Sequence, residues 1–371
     1  MNETSIRDRK EPFARIVKRD DISRVKAWGI RLAAILLSLL AGGLLILALG
    51  HNPFAVYRDM VTGSLATKTA LIATAKIAIP LLGAAISIAP AFKMKFWNIG
   101  TEGQIMAGAL AASYFALFQH GNMSRPVLIL VMFAASVVAG GIWGFIPAFF
   151  KAKWGTNETL FTLMLNYIII GIVKYLRMGP WKNPASGGFP KIAMFDDAAR
   201  LPSVFGVNIG WIIVLALAVL MFIYMRYSKQ GYEIAVVGES VRTSKYIGMN
   251  VPKVIIRTIV ISGAIAGLVG CLIVAGSAYT LSDTSSGGYG FTAITVAWLG
   301  GLNPFAMIII TVFLAVLTKG ANTIQTNFKI PASASDVLIG MILFFMLGCE
   351  FFIKYRLIFR TRRRIEVVPN D

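Results

Sequence analysis

Apolar residues in this chain run in long unbroken stretches separated by polar connections. With roughly 20 residues needed to cross a bilayer, full-length spans fall at 30–49, 69–92, 127–150, 159–177, 209–227, 255–281, 304–320 and 334–353. Two shorter apolar stretches, 104–118 and 289–300, would rise only about 22 and about 18 Å as helices, short of a hydrocarbon core of roughly 30 Å. Either they cross beside tilted neighbours and thinned lipid, or they enter and return. As third and eighth of ten elements they stand five apart, which fits two five-helix repeats. Short, Gly-interrupted segments at matching places of two halves point to a transport site. The pattern predicts an all-α polytopic membrane protein of about ten transmembrane helices, two of them short, arranged as two five-helix repeats.

Composition agrees with this class. The 371 residues are 57% hydrophobic and 14% charged, and the mean hydropathy is +0.71, beyond what a soluble domain needs for its core. A net charge of +19 would suggest nucleic acid in a soluble protein. Here the basic residues lie between and beyond the apolar stretches, where lipid headgroups and topology account for them, and no basic-aromatic binding module is present. Lipid is therefore expected as a partner and nucleic acid is not. Cys271 and Cys349, the only cysteines, lie in apolar helices, and with His51 and His120 they make no metal-ligand set. Neither a disulfide nor a metal centre is expected.

Residues 1–29 carry Arg7, Arg9, Lys10, Arg15, Lys18, Arg19, Arg24 and Lys26, too long and too charged a segment for a signal n-region. They are read as a cytoplasmic N-terminal arm before a transmembrane domain at 30–353 and a basic cytoplasmic tail at 354–371. If all ten segments cross, about twenty-five Lys or Arg fall inside and about ten outside, with both termini in. If the two short segments are re-entrant, only the middle of the chain inverts. There the basic residues nearly balance, so charge alone leaves the topology open.

Two connections are long enough to hold structure. Residues 178–208, with Gly-Pro, Asn-Pro and Ser-Gly-Gly punctuation around Trp181 and Phe189, read as an irregular external loop with amphipathic pieces on the membrane surface. Residues 228–253 are polar. Glu239 or Ser240 is suited to cap a short helix there, Gly248 to end it, and Pro252 to stop further helical growth.

The run Asn98-Ile-Gly-Thr-Glu-Gly-Gln104 sets a carboxylate, two amides and two glycines between apolar stretches. Polar groups at membrane depth are costly and tend to face a wet path or a partner. Three further motifs follow in order: Asn157-Glu158-Thr-Leu-Phe-Thr-Leu-Met-Leu-Asn166-Tyr167; Val237-Gly-Glu with Tyr246-Ile-Gly248 and Ser262-Gly-Ala-Ile-Ala-Gly267; and Gly288-Tyr-Gly-Phe-Thr-Ala-Ile-Thr-Val-Ala-Trp-Leu-Gly300. Together, over roughly residues 65–350, they resemble the permease subunits of ATP-binding-cassette importers, in the branch serving nucleosides and simple sugars and related to ribose and branched-chain amino acid permeases. Lys93-Met94-Lys95-Phe96-Trp97 and Thr243-Ser244 depart from the pattern expected there.

The resemblance implies a non-catalytic permease of a bacterial cell membrane, translocating nucleosides by alternating access, with ribose- or galactose-like sugars as the alternative. Its implied partners are two ATPase subunits carrying ATP and Mg, a second related permease or a second copy of this chain, and an extracytoplasmic substrate-binding lipoprotein. Residues 228–253 become the cytoplasmic loop that couples to an ATPase through Gly238, Glu239, Arg242, Tyr246 and Gly248. That location favours ten crossings. The chain contains no Gly-Lys dipeptide and hence no Walker A loop, so ATP is expected on another polypeptide and no cofactor on this one.

A nucleoside or sugar is neutral and rich in hydroxyls, so its path needs hydrogen-bonding groups in apolar helices. Gln104, Thr159, Thr162, Asn166, Thr292 and Thr295 supply them. Asn166 stands four residues after Thr162, on one helix face, which either lines the path or holds the bundle by interhelical bonds. Asn98, Glu102, Asn157 and Glu158 form a second polar set. Each carboxylate either caps the helix it opens or orders a gate near the cytoplasmic end. The Gly-x-x-x-Gly pairs Gly140/Gly144 and Gly263/Gly267 allow close helix packing, within the subunit or against a partner. An ion-coupled secondary transporter is the rival of another class, disfavoured by the scarcity of charges away from helix ends. A membrane enzyme would need a nucleophile or metal motif the chain lacks.

Overall fold

The computed structural model describes residues 14–18 and 23–359. Their regular structure is almost all helix. Seven helices are long and apolar enough to cross a membrane: α3 (Lys68–Lys93), α5 (Arg125–Trp154), α6 (Glu158–Met178), α7 (Gly210–Tyr227), α10 (Val251–Ile273, continued by a π-helical turn, Val274–Ala278), α12 (Pro304–Asn327) and α13 (Ala332–Lys354). An eighth span results if α1 (Arg24–Ala48) and α2 (Pro53–Leu65) together make one broken crossing. The other helices are α4 (Thr101–Phe118), α8 (Lys229–Glu239), α9 (Val241–Tyr246) and α11 (Tyr289–Leu299). Strands β1 (Ala14–Lys18) and β4 (Tyr355–Phe359) pair antiparallel, as do β2 (Ser203–Val204) and β3 (Val207–Asn208).

The chain divides into two compact units, Met1–Pro53 with Val337–Asp371, and Phe54–Asp336. Among described residues the first contains α1, most of α13 and the β1–β4 pair. All the polar motifs singled out from the sequence, 98–104, 157–167, 237–267 and 288–300, lie in the second.

Local chemistry sets the helix limits. Thr67, Asn157, Ser228, Ser240, Asn250 and Asn303 each accept a first-turn amide with a side-chain oxygen, satisfying donors that have no partner inside the helix. Pro252 opens α10 rather than stopping growth, since a proline in the first turn gives up an amide that had no partner there. Gly155, at φ +68, ends α5. Helix α2 has no counterpart in the spans read from the sequence, because its pattern is too short and mixed. It packs on α12, where the Ser64 hydroxyl donates to the Val316 carbonyl at 2.9 Å and Gly320 lets Met60 approach.

At the centre of the larger unit α4, α5 and α10 meet backbone to backbone. A Cβ on Gly140 would strike the Gly263 carbonyl. One on Gly267 would strike the Ser136 carbonyl, and one on Gly270 the Ile105 carbonyl. Bare backbones at this spacing maximise dispersion contact where lipid offers no hydrophobic drive to associate. The two Gly-x-x-x-Gly pairs thus face each other inside the subunit.

Around this core two segments are half unwound. After Lys93 the chain turns at Lys95 (φ 60) and runs irregularly to Gly100. Then α4 begins beside the middle of α10, where Asn98 reaches Ser262, and ends at Tyr114 and Phe118 against Trp181, just beyond α6. The second segment runs the other way. From Tyr279 at the end of α10 the chain descends without helix to Gly288, and α11 then carries Trp298 onto Trp97 and Phe92 of the α3 end, at centroid distances of 5.6 and 6.0 Å.

Candidate functional site

The two interrupted segments meet at a buried polar knot. Glu102, 3% exposed in the first turn of α4, accepts the Gly288 amide at 2.9 Å through Oε1 and the Gly290 amide at 2.7 Å through Oε2. The Ser286 side chain lies buried beside it. Glu102 therefore caps α11, not the helix it opens, and its position is the interior of the bundle rather than the coupling-loop end. The carboxylate satisfies amides that start a helix inside the protein, each of which would cost about 1–3 kcal/mol if left bare.

Beside it Asn98 and Gln104 are fully buried and exchange bonds, Asn98 Nδ2 donating to Gln104 Oε1 at 3.2 Å and Gln104 Nε2 to Asn98 Oδ1 at 3.4 Å. Asn166, on α6, donates to the Ile99 carbonyl at 3.0 Å and accepts the Gly103 amide at 2.8 Å. It thereby satisfies the unwound backbone of the first segment. Thr162 is completely buried against Gly100 and donates to the Thr159 carbonyl. Of the six groups suited to a solute path, Gln104, Thr162 and Asn166 are thus consumed by bonds within this chain, and Thr292 donates to the Gly288 carbonyl at 3.2 Å. Thr159, Thr292 and Thr295 keep partial exposure. The free face of α6 carries Met164, Tyr167 and Tyr175 instead, each about two-thirds exposed.

A second cluster forms where α3 and α5 end and α6 begins. Asn157 caps α6, its Oδ1 accepting from Thr159 and Leu160. Glu158 pairs with Lys151 at 2.6 Å. Helix α8 lies against this corner because Gly238 has no Cβ to strike the Lys93 carbonyl, and a cavity of about 300 Å³ opens among Lys95, Lys151, Glu158 and Glu239. Where the sequence suggested one short helix, residues 228–253 form two, broken at Ser240. Its hydroxyl caps α9 by accepting from Thr243, and Gly248 (φ +81) follows the helix end. Arg257 holds α8 through Glu233 at 2.8 Å. Val241, Arg242, Lys245, Tyr246 and Ile247 are all exposed, Tyr246 to 92%. Of the five residues singled out for coupling, Arg242, Tyr246, Glu239 and Gly248 face outward and Gly238 is buried.

At the other end, residues 178–191 are mostly exposed, whereas residues 192–208 are tied to the bundle. The Phe195 amide donates to the Tyr279 carbonyl at 2.8 Å and the Leu201 amide to the Ala275 carbonyl at 3.0 Å. Asn208 donates to the Gly276 carbonyl, and Phe195 is 1% exposed. The polar run Ser282–Ser286, which descends from here to the knot, was not among the residues selected from the sequence. Its signal was present as five consecutive polar residues before Gly287-Gly288.

Comparison with known proteins gives this arrangement a family. Among curated proteins, the glucose ABC transporter permease of Haloferax volcanii is 31% identical over 360 residues, 93% of each chain. The guanosine ABC transporter permease of Bacillus subtilis is 30% identical over 336 residues, 88% of this chain and 94% of that one. The nucleoside ABC transporter permease of Lactococcus lactis subsp. cremoris is 31% identical over 338 residues, 85% and 90% of the two chains. No solved structure matches significantly. Residues 70–347 match the family described as branched-chain amino acid transport system / permease component, and with these relatives the chain belongs to the ABC importer permeases of the nucleoside and sugar branch.

Proposed function

We propose that this chain is the translocating membrane subunit of an ATP-driven importer of neutral, hydroxyl-rich solutes, nucleosides foremost. It works with two ATPase subunits that hold ATP and Mg, a second permease subunit, related or identical, and an extracytoplasmic binding lipoprotein. The observation that carries this reading is the α8–α9 elbow. Tyr246 and its apolar and basic neighbours are exposed, while α8 is fastened to the α3 end at Gly238 and to α10 through Glu233 and Arg257. A push on α9 thus reaches two long helices at once.

In this reading the elbow is cytoplasmic and both termini are too. Ten segments cross in two five-helix repeats, the third and eighth being the half-unwound pair. Their opposite sense supports that count: 94–118 leads away from the elbow end and 279–299 back towards it. The buried Asn98, Glu102, Gln104, Thr162 and Asn166 act as frame rather than as the solute wall.

Sugars are the second reading, favoured by the glucose permease relative at the same identity as the nucleoside ones. Competition of purine and pyrimidine nucleosides against glucose, ribose and galactose, measured as uptake by cells expressing the complete transporter, separates the two. Uptake without any ATPase partner would overturn the importer reading itself.

A further inference from the structure

Between α10 and α11 the backbone from Tyr279 to Gly288 is neither helix nor strand, although it descends from the bundle end to the level of Glu102. Irregular backbone at such depth persists only where it is buried in protein or lines a wet cavity. Both conditions divide this segment. Ser286 is buried on Glu102, while Thr284 and Gly287 are exposed and Ser282, Asp283 and Ser285 partly so. Its form is fixed rather than loose: Ser285 Oγ accepts the Ser282 amide at 2.8 Å, the Gly287 amide donates to Thr284, and Gly287 and Gly288 take positive φ angles of 56° and 72°.

At the head of this segment lies a cavity of about 390 Å³ whose walls are mainly apolar, with Pro190, Ile192, Met194 and Leu281, and whose polar edge includes Arg177 and Ser282. That volume falls within the roughly 300–1,000 Å³ of small-molecule sites. Arg177 reaches Asp283 at 3.4 Å, long against the roughly 2.7–2.9 Å of a well-made charge-assisted bond. Its Nε is buried with no partner among the described residues. The pair is formally neutral and its donors and acceptors are incompletely used.

We propose that this cavity and the hydroxyl-bearing descent Ser282–Gly288 form a receiving site for a neutral polyhydroxylated ring. Ser282 shares hydroxyl bonds with Thr284 at 3.1 Å and with Ser285 at 3.2 Å, and the trio, at least partly exposed, keeps spare lone pairs, a hydroxyl oxygen having two, to accept from the ring. Asp283 accepts from adjacent ring hydroxyls, and Arg177 donates to a ring oxygen once the 3.4 Å pair parts. Glu102, by fixing Gly288 and Gly290, holds the floor. The proposal deepens the importer reading and depends on it.

The test is a Thr284→Cys variant of the full chain in cells carrying the complete transporter. The native thiols Cys271 and Cys349 are both buried, and Asn122→Cys, in the exposed turn after α4, is the accessibility control. A membrane-impermeant thiol reagent added outside should modify position 284, and guanosine, uridine, glucose or ribose should slow that modification at least about fivefold without protecting position 122. The site is overturned if position 284 is unmodified while 122 reacts, or if a probe that the cells take up gives no protection. Wild-type cells that take up none of the four probes would instead refute the nucleoside and sugar reading on which this site rests. As a second measure, Asp283→Asn should raise the KM for uptake roughly fivefold, the worth of one or two such bonds, and an unchanged KM overturns the role of the pair.

Discussion

Glu102 accepts the amide of Gly290 at 2.7 Å although 188 residues separate the two in sequence. One side chain from the first interrupted segment thus completes the helix that starts the second. Replacing Glu102 with alanine would leave the Gly288 and Gly290 amides without acceptors in the interior, at roughly 2–6 kcal/mol for the two. Glutamine keeps one acceptor oxygen and should cost less. The expected order of thermal stability of purified protein in detergent is wild type, then Glu102→Gln, then Glu102→Ala. Equal midpoints for all three would show that the bonds contribute nothing.

Gly290→Ala attacks the same junction from the other side, since its Cβ would strike the Glu102 amide nitrogen and sit 2.7 Å from the Glu102 Cα and 2.8 Å from Oε2. The two nearest of these atoms are backbone that Glu102→Ala retains, so the clash should persist in the double variant, and only the bond to Oε2 is counted once: the double cost should fall short of the sum by no more than about 1–3 kcal/mol. A larger shortfall would mean that the added methyl meets the Glu102 side chain rather than its backbone.

Asn166 stabilises unwound backbone. Changing it to leucine removes the acceptor of the buried Gly103 amide and the donor to the partly buried Ile99 carbonyl, so the variant should lose about 2–4 kcal/mol and lower the yield of folded protein. A normal yield and melting temperature with defective uptake would return Asn166 to the solute path.

This distinction marks what the sequence made legible. Span positions were readable because apolar length is a local property: the stretch 69–92 became Lys68–Lys93 and 159–177 became Glu158–Met178. Close packing at Gly140/Gly144 and at Gly263/Gly267 followed from spacing, since small residues at i and i+4 permit it, but that the two pairs face each other inside the subunit did not. What could not be read was which polar groups spend their bonds inside the chain. Thr162 and Asn166 share a helix face in any account, but only the fold reveals that this face meets the backbone of Ile99–Gly103. Glu102 was readable only as a cap of the helix it opens or as part of a gate, because its actual partners, Gly288 and Gly290, arrive from the far half of the chain. Helix α2 was missed since its stability comes from α12 and not from its own pattern.

The Lys151–Glu158 pair tests whether the α5–α6 corner is held by charge. Its side chains are 31% and 13% exposed, so solvent screens part of the attraction and a coupling of about 0.5–1 kcal/mol is expected. A double-mutant cycle with Lys151→Met and Glu158→Gln, read by melting temperature at low and high salt, should show that coupling shrinking as salt rises. A salt-independent coupling above this range would indicate a desolvated pair.

The elbow contains two residues of one motif with opposite burdens, Gly238 buried on the Lys93 carbonyl and Tyr246 exposed to 92%. Sequence alone treats them alike as coupling residues. Geometry separates them. Gly238→Val must displace α8 from the end of α3, so it should lower the melting temperature of the isolated permease as well as solute-stimulated ATP hydrolysis. Tyr246→Asp touches nothing in its own subunit that would be lost, so the melting temperature should be unchanged. Stimulated hydrolysis in the reconstituted complex should nevertheless fall roughly tenfold, a coupling of about 1.4 kcal/mol, because a charge replaces an apolar knob at the proposed ATPase contact. Should Tyr246→Asp leave stimulation intact, α9 is not the element the ATPase grips, and the force must enter elsewhere along 228–253.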